Sequence, residues 1–158
     1  MEESEKKKIQ LVILTPYRTF YEGYVDSVVI PAYDGGMGIM AGHMPVVSAL
    51  APGIGEIKVN NEVLHFCSSE GYAEIGQHLC MIITNAAEWP EDINVARTFN
   101  AFIKSSKDKE QYDFSKEAYS DRKDAYLRAV NRINAIEKYG TEEQKASLRK
   151  KQGKEENE

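Results

Sequence analysis

The chain has 158 residues, 42% of them hydrophobic, which is enough to form a core in one domain or in two small ones. Its formal net charge of −5 argues against a protein whose main surface binds nucleic acid. No apolar run approaches the roughly 18 residues of a membrane-spanning helix, and the charged N-terminal stretch lacks the apolar segment of a signal peptide.

The two cysteines, Cys67 and Cys80, do not have the number or spacing of a disulfide framework or a CxxC site. We expect both to be reduced and buried as small hydrophobic side chains. The expectation is therefore a soluble protein of a reducing compartment.

The composition changes sharply at Trp89-Pro90. Nine of the 11 glycines and four of the five prolines precede residue 85. Residues 1–90 hold 5 Lys and Arg against 11 Asp and Glu, whereas residues 91–158 hold 15 against 14. A break of this kind predicts a domain boundary, which we place after residue 88.

The first part of the chain predicts short β-strands separated by turn residues. Asn60-Asn61 is a good two-residue hairpin turn, because Asn tolerates positive φ. With no helical pattern between the strands, residues 1–88 are predicted to form an antiparallel sandwich or flattened barrel. The predicted strands are 9–14, 24–30, 46–50, 54–59, 62–67, 72–76 and 79–84.

The second part predicts helices. Pro90 and the acidic residues Glu91 and Asp92 favour a helix that begins there and runs to about residue 107. A polar link leads to a second helix, so residues 89–139 are predicted to form an antiparallel α-hairpin with Gly140 as C-cap. The charged tail, 140–158, is expected to be disordered. The apolar seam of the second helix is predicted to comprise Tyr119, Arg122, Tyr126, Ala129, Ile133 and Ile136.

Residues 36–41, GMGIMA, fit the G-x-G-x-x-A dinucleotide fingerprint, but their context excludes it. The fingerprint requires a helix to open on the glycines, and Gly42 and Pro45 break any helix there. The stretch is predicted to be a sandwich loop whose glycines permit a close approach of another chain. His43, His65 and His78 are too scattered for a metal site, and no pattern supports catalysis.

An ordered set of motifs gives the chain a specific resemblance. The motifs are Thr15-Pro16, Tyr21-Glu22-Gly23, Val25–Val28, Gly35–Ile39, Gly42-His43, Pro52-Gly53, Gly71-Tyr72 and Asn85–Glu88. With these motifs in this order, residues 9–138 closely resemble the epsilon subunit of F-type ATP synthases.

The resemblance implies a ten-stranded β-sandwich followed by a two-helix hairpin. It implies a non-catalytic rotor subunit that binds the gamma subunit and the c-ring and couples proton or sodium flux to ATP synthesis. The helices would inhibit ATP hydrolysis by extending toward the catalytic alpha/beta head. The expected location is the cytoplasmic face of the bacterial plasma membrane, reached only through the complex. A permanently docked hairpin and a stand-alone ATP-sensing module are the alternatives.

Two sets of site residues follow from the resemblance. No cofactor is required, but a regulatory ATP site is implied at Glu88, Ile93, Arg97, Arg128 and Arg132. Asn94 and Thr98 depart from that motif, and an exposed, ion-paired surface is the alternative for Arg128 and Arg132. The surface for the c-ring or gamma is implied at Asp34, Gly36, Met37, Gly38 and His43, where Gly36 replaces the acid of many relatives.

Overall fold

The computed structural model describes residues 7–111 and 121–155. The chain divides into two compact units, Met1–Ala87 and Glu88–Glu158. The first unit is built of β-strands, and the described part of the second is helical. The expected boundary lies one residue further along the chain than the one found.

The first unit is a ten-stranded, nearly closed sandwich, as expected. The strands lie in the order β10-β7-β6-β3-β5-β8-β9-β1-β2, with β4 beside β3. They are β1 Ile9–Leu14, β2 Thr19–Val25, β3 Ser27–Ala32, β4 Gly35–Ile39, β5 Val46–Leu50, β6 Gly53–Val59, β7 Glu62–Ser68, β8 Gly71–Ile75, β9 Leu79–Thr84 and β10 Ala87–Glu88.

Alternating side chains of these strands form the core. In β1, for example, Ile9, Leu11 and Ile13 are fully buried, whereas the residues between them are half-buried. This period of two places one side of each strand in the interior. The same pattern buries Cys80 and Ile82 in β9.

The hairpin of β6 and β7 turns as predicted at Asn60-Asn61. Asn60 has φ 51° and Asn61 has φ 65°, and Val59 pairs with Glu62 across them. Two positive φ values define the type I′ turn, whose twist matches that of the strands.

One pairing departs from the antiparallel expectation. Strand β1 runs parallel to β9, with Gln10 opposite Leu79 and Leu14 opposite Ile83. Parallel neighbours need a long connection, and here most of the unit lies between the two strands.

Two predicted strand boundaries were wrong. Residues 24–30 are not one strand: the chain breaks at Asp26, whose N–H donates to the Lys58 carbonyl at 2.8 Å and whose carboxylate accepts the Asn60 N–H at 2.9 Å. The predicted glycine loop contains strand β4, in which Met37 pairs with Ile30. Glycine is a poor strand former, and its frequency hid this strand.

The second unit begins with a 3₁₀ turn, Pro90–Asp92, followed by three helices in its described residues. They are α1 Val95–Gln111, α2 Asp121–Tyr139 and α3 Glu142–Glu155. Helix α1 begins four residues later than predicted, because Asn94 is its N-cap: the Asn94 side-chain oxygen accepts the Arg97 N–H at 2.9 Å.

The predicted seam of α2 is confirmed in part. Ala129, Ile133 and Ile136 are buried, but Arg122 is exposed, so its assignment to the seam was wrong. Tyr119 lies outside the described residues. A long charged side chain gains little from burial between helices and remains hydrated at the surface.

Aromatic rings complete the contact between α1 and α2. The ring of Tyr126 stacks on Phe102, with 6.2 Å between centroids, and the Lys109 ammonium lies 4.6 Å from the Tyr126 ring. Such stacking and cation–π contacts add about 0.5–1.5 kcal/mol each. The contact between the two helices therefore combines the aliphatic seam of α2 with aromatic rings.

The expectation of a disordered tail was wrong for residues 142–155, which form α3. Thr141 and Gln144 form a capping box: the Thr141 N–H donates to the Gln144 side-chain oxygen at 2.8 Å, and the Gln144 N–H to the Thr141 hydroxyl at 3.2 Å. Gly140 precedes it, and its N–H donates to the Ile136 carbonyl at 2.9 Å, which ends α2.

We predict that Gly55→Ala destabilises the first unit, whereas Gly38→Ala does not. A Cβ on Gly55 would lie 2.2 Å from the buried ring of Phe66, but one on Gly38 would meet no atom within 4 Å. Overpacking of this kind costs about 1–3 kcal/mol, and an unhindered exchange changes stability by about 0.5 kcal/mol or less. Urea unfolding of both variants measures the difference, and equal midpoints would contradict it.

Candidate functional site

The predicted c-ring or gamma surface lies on β4 and its flanking turns. Asp34 is exposed in the turn between β3 and β4, and Gly36 and Gly38 are exposed in β4 itself. A Cβ on Gly38 would point into open space, so this strand presents bare backbone. A partner chain can approach such a strand more closely than one that carries side chains.

His43 lies at the other end of β4. It belongs to a turn in which its N–H donates to the Met40 carbonyl at 3.2 Å and its Nδ1 lies 2.8 Å from the Met44 carbonyl. The turn is held by the Gly42 N–H, which donates to the Gln77 carbonyl at 2.7 Å. Gly42 has φ 85°, a conformation that favours glycine.

The structure thus brings together only part of the predicted surface. Asp34 precedes β4 and His43 follows it, so five strand residues, or about 16 Å at 3.3 Å per residue, separate the two ends. Met37 is half-buried beside Ile30. Asp34 and His43 therefore belong to opposite ends of β4 and cannot contact one small group together.

An apolar hollow beside the His43 turn was not predicted from the sequence. The hollow has a volume of about 560 Å³ and opens widely to solvent. Its lining is mostly hydrophobic and comprises Pro45, Val46, Val47, Glu74, Ile75, Gly76, Leu79 and Met81. One sequence feature could have indicated this apolar surface. Strand β9 is apolar without alternation from Leu79 to Ile83, a pattern typical of strands covered on both faces.

Large apolar side chains are exposed in the chain segment that borders this hollow. Met44 directly precedes Pro45 of the hollow and is 79% exposed, and Val47 of the lining is 67% exposed. Large apolar side chains that cluster at the surface mark interaction sites, and Met adapts to irregular partner surfaces. The cluster adds an apolar contact area to the predicted polar and glycine residues.

In the second unit, the structure brings together two of the five predicted ATP-site residues. The Glu88 carboxylate accepts a hydrogen bond from Nε of Arg132 at 2.6 Å, and both side chains are about one-third exposed or less. Arg128 lies one helical turn before Arg132, on the same face of α2. Charge-assisted hydrogen bonds of this length are stronger than neutral ones.

The other two residues lie at the start of α1. Arg97 is exposed, whereas Ile93 is only 3% exposed and belongs to the packed interior. Asn94 and Thr98, the two departures from the motif, have local structural roles: Asn94 caps α1, and Thr98 is buried. Asp and Asn are equally good N-caps, so Asn94 does the structural work that an aspartate would do.

The described residues give no support for a metal site, a disulfide or a membrane-spanning helix. Within residues 7–111 and 121–155, no three His, Cys, Asp or Glu side chains are grouped as a metal site. Cys67 and Cys80 are buried and form no disulfide, as expected, and burial raises the pKa of the Cys80 thiol to about 12. None of the described helices has the length and hydrophobicity that crossing a membrane requires.

Comparison with known proteins gives consistent relatives. The ATP synthase epsilon chain of Caldanaerobacter subterraneus subsp. tengcongensis is 34% identical over 134 residues, which cover 84% of this chain and 96% of the relative. The ATP synthase epsilon chain of Caldicellulosiruptor saccharolyticus is 33% identical over 130 residues, which cover 82% of this chain and 94% of the relative.

A solved structure has the same fold. A chain in the Euglena gracilis mitochondrial ATP synthase, solved by cryo-EM as OSCP, F1 and c-ring, superposes with a TM-score of 0.69 at 22% identity. The match covers 82% of each chain. The family model described as the β-sandwich domain of the ATP synthase delta/epsilon chain matches residues 8–90. The chain therefore belongs to the family of ATP synthase epsilon chains.

Proposed function

We propose that the chain is a non-catalytic rotor subunit of the central stalk of an F-type ATP synthase. The observation that carries this proposal is the sandwich domain, whose residues 8–90 match the family model. As such a subunit it binds gamma and the c-ring and transmits torque between ion flux and the catalytic head. Its place is the cytoplasmic face of the bacterial plasma membrane, as a peripheral part of the complex.

The surface of the first unit supports two contacts of different character. At one end of β4, Asp34 and the exposed glycines offer a charge and accessible backbone to a polar loop. At the other end, the His43 turn and the apolar hollow offer hydrophobic area. We assign the Asp34 end to the polar loops of the c-ring and the His43 end to gamma, because apolar area suits a permanent interface.

The second unit is proposed to regulate ATP hydrolysis. The seam of helix α2 combines the small side chain of Ala129 with Ile133 and Ile136, and the Phe102–Tyr126 pair joins α1 to α2. Ala129 buries less apolar area in this seam than a leucine would, so compact and extended arrangements can differ by only a few kcal/mol. The extended arrangement would reach the alpha/beta head and slow hydrolysis.

ATP is proposed as a regulatory ligand of the compact hairpin. The Arg128 and Arg132 guanidinium groups share one face of α2, and guanidinium pairs suit phosphate oxygens. Because Glu88 already holds Arg132 at 2.6 Å, a phosphate must compete with this carboxylate or share the arginine with it. The same cluster is the basis of the alternative function, a stand-alone ATP-sensing module.

Co-purification distinguishes the rotor from the stand-alone sensor. We expect the tagged chain to co-purify with gamma and c from membranes of its host, whereas a stand-alone sensor would be recovered alone.

Asp34→Ala should lower recovery of the c-ring, since the variant removes the only charge among residues 33–36, at the β3–β4 turn. Glu62→Ala, another exposed acid in the first unit, is the control. Unchanged c-ring recovery would contradict the assignment of Asp34.

Isothermal titration tests the ATP proposal. We expect binding by the full chain at millimolar ATP or below, weakened about tenfold by Arg128→Ala, which removes charge-assisted hydrogen bonds to phosphate. Arg149→Ala, at an exposed position of α3, removes the same charge and should bind as the unaltered chain does. No heat at millimolar ATP would refute the ATP site and leave the rotor proposal unaffected.

A further inference from the structure

Helix α3 is attached to the segment that precedes α1 through one side chain. The Nε2 amide of Gln144 lies 3.1 Å from the Pro90 carbonyl, 3.0 Å from that of Glu91 and 2.9 Å from that of Ile93. All three oxygens belong to the 3₁₀ turn and its exit, upstream of α1. An amide group can donate two hydrogen bonds and share them among three acceptors placed this closely.

The capping box fixes the orientation of this amide. Its oxygen accepts the Thr141 N–H at 2.8 Å, so its nitrogen must face the three carbonyls. The reverse orientation would place oxygen against oxygen and leave the Thr141 N–H facing a donor. The same side chain therefore begins α3 and attaches it to the turn.

Two further residues continue this contact along one face of α3. Leu148 and Gln152 follow Gln144 at intervals of four, which places the three on one side of the helix. Leu148 is 1% exposed and is the buried residue of α3. The Gln152 amide donates to the Glu137 carboxylate of α2 at 3.3 Å.

Space for this arrangement depends on Gly140, which joins α2 to α3. A Cβ at Gly140 would lie 2.6 Å from the Ile136 carbonyl and 2.9 Å from the Gln144 side-chain oxygen. A larger residue would displace either the end of α2 or the amide that holds the turn. The link between the two helices is therefore adapted to the position of Gln144.

We propose that α3 is a clasp that holds the hairpin of α1 and α2 compact. It touches the segment before α1 through Gln144 and touches α2 through Gln152, so it bridges the two helices that separate when the hairpin opens. Separation must break either the Gln144 or the Gln152 contacts. Resting on the proposed regulatory function, the clasp opposes the extended, inhibitory arrangement.

Hydrogen exchange of the full chain tests the clasp, because it detects rare opening. Gln144→Glu keeps the oxygen that accepts the Thr141 N–H but removes the amide donor and sets a negative charge against three carbonyl oxygens. We expect the amides of α1 and α2 to exchange about tenfold faster, since the Gln144 amide loses its two part-buried hydrogen bonds, to Pro90 and Ile93, and its exposed one, to Glu91. A chain ending at Gly140 should show the same increase.

Two controls make the result specific. Ala146→Glu adds the same charge at an exposed position of α3 and should leave exchange in α1 and α2 unchanged. Amides of β1 and β9 in the first unit should be unaffected in every variant. Wild-type exchange of α1 and α2 in Gln144→Glu or in the shortened chain would overturn the proposal.

A second measurement separates the clasp from the regulation it serves. In the assembled complex, Gln144→Glu should lower the rate of ATP hydrolysis if the extended hairpin is inhibitory. Faster exchange with an unchanged hydrolysis rate would support the clasp and contradict the regulatory function. Unchanged exchange would overturn the clasp whatever the hydrolysis rate.

Discussion

The parallel pairing of β1 with β9 is the constraint on which the rest of the first unit depends. It joins residues 10–14 to residues 79–83 and thereby attaches the hairpin of β1 and β2 to the other strands of the sheet. The Gln10 N–H also donates to the His78 carbonyl at 2.9 Å, which places the turn before β9. The same turn contains Gln77, whose carbonyl accepts a hydrogen bond from the Gly42 N–H. The position of the His43 surface thus follows from a contact formed at the opposite end of the sequence.

Side-chain hydrogen bonds begin two helices of the second unit and join α3 to the turn before α1. Asn94 begins α1, Thr141 and Gln144 begin α3, and the Gln144 amide joins α3 to the turn before α1. Each such contact contributes about 0.5–1.5 kcal/mol, so a few of them are comparable to the small energy difference between two arrangements of a hairpin. A unit stabilised in this way is suited to a reversible change of arrangement. The sandwich, which has a larger buried core, keeps its shape.

Much of the fold was predictable because its signals are local. Alternation in β1, the Asn60-Asn61 turn and the change of composition at Trp89-Pro90 each act within a few residues. The β1–β9 pairing was not predictable from local signals, because it joins residues far apart in sequence. Helix α3 was missed although Thr141 and Gln144 have capping-box spacing, because the tail has few apolar residues. The candidate site residues were predicted from a family resemblance. The apolar hollow was not predicted, because its lining residues come from separate parts of the chain.

The central claim is that the first unit anchors the chain to the rotor while the second regulates hydrolysis. The most direct test compares ATP hydrolysis by complexes that carry the full chain with those that carry a chain ending at residue 88. We expect equal assembly with gamma and c, and faster hydrolysis without the helices, because no hairpin is then left to adopt the inhibitory arrangement. Equal hydrolysis rates in two fully assembled complexes would contradict it.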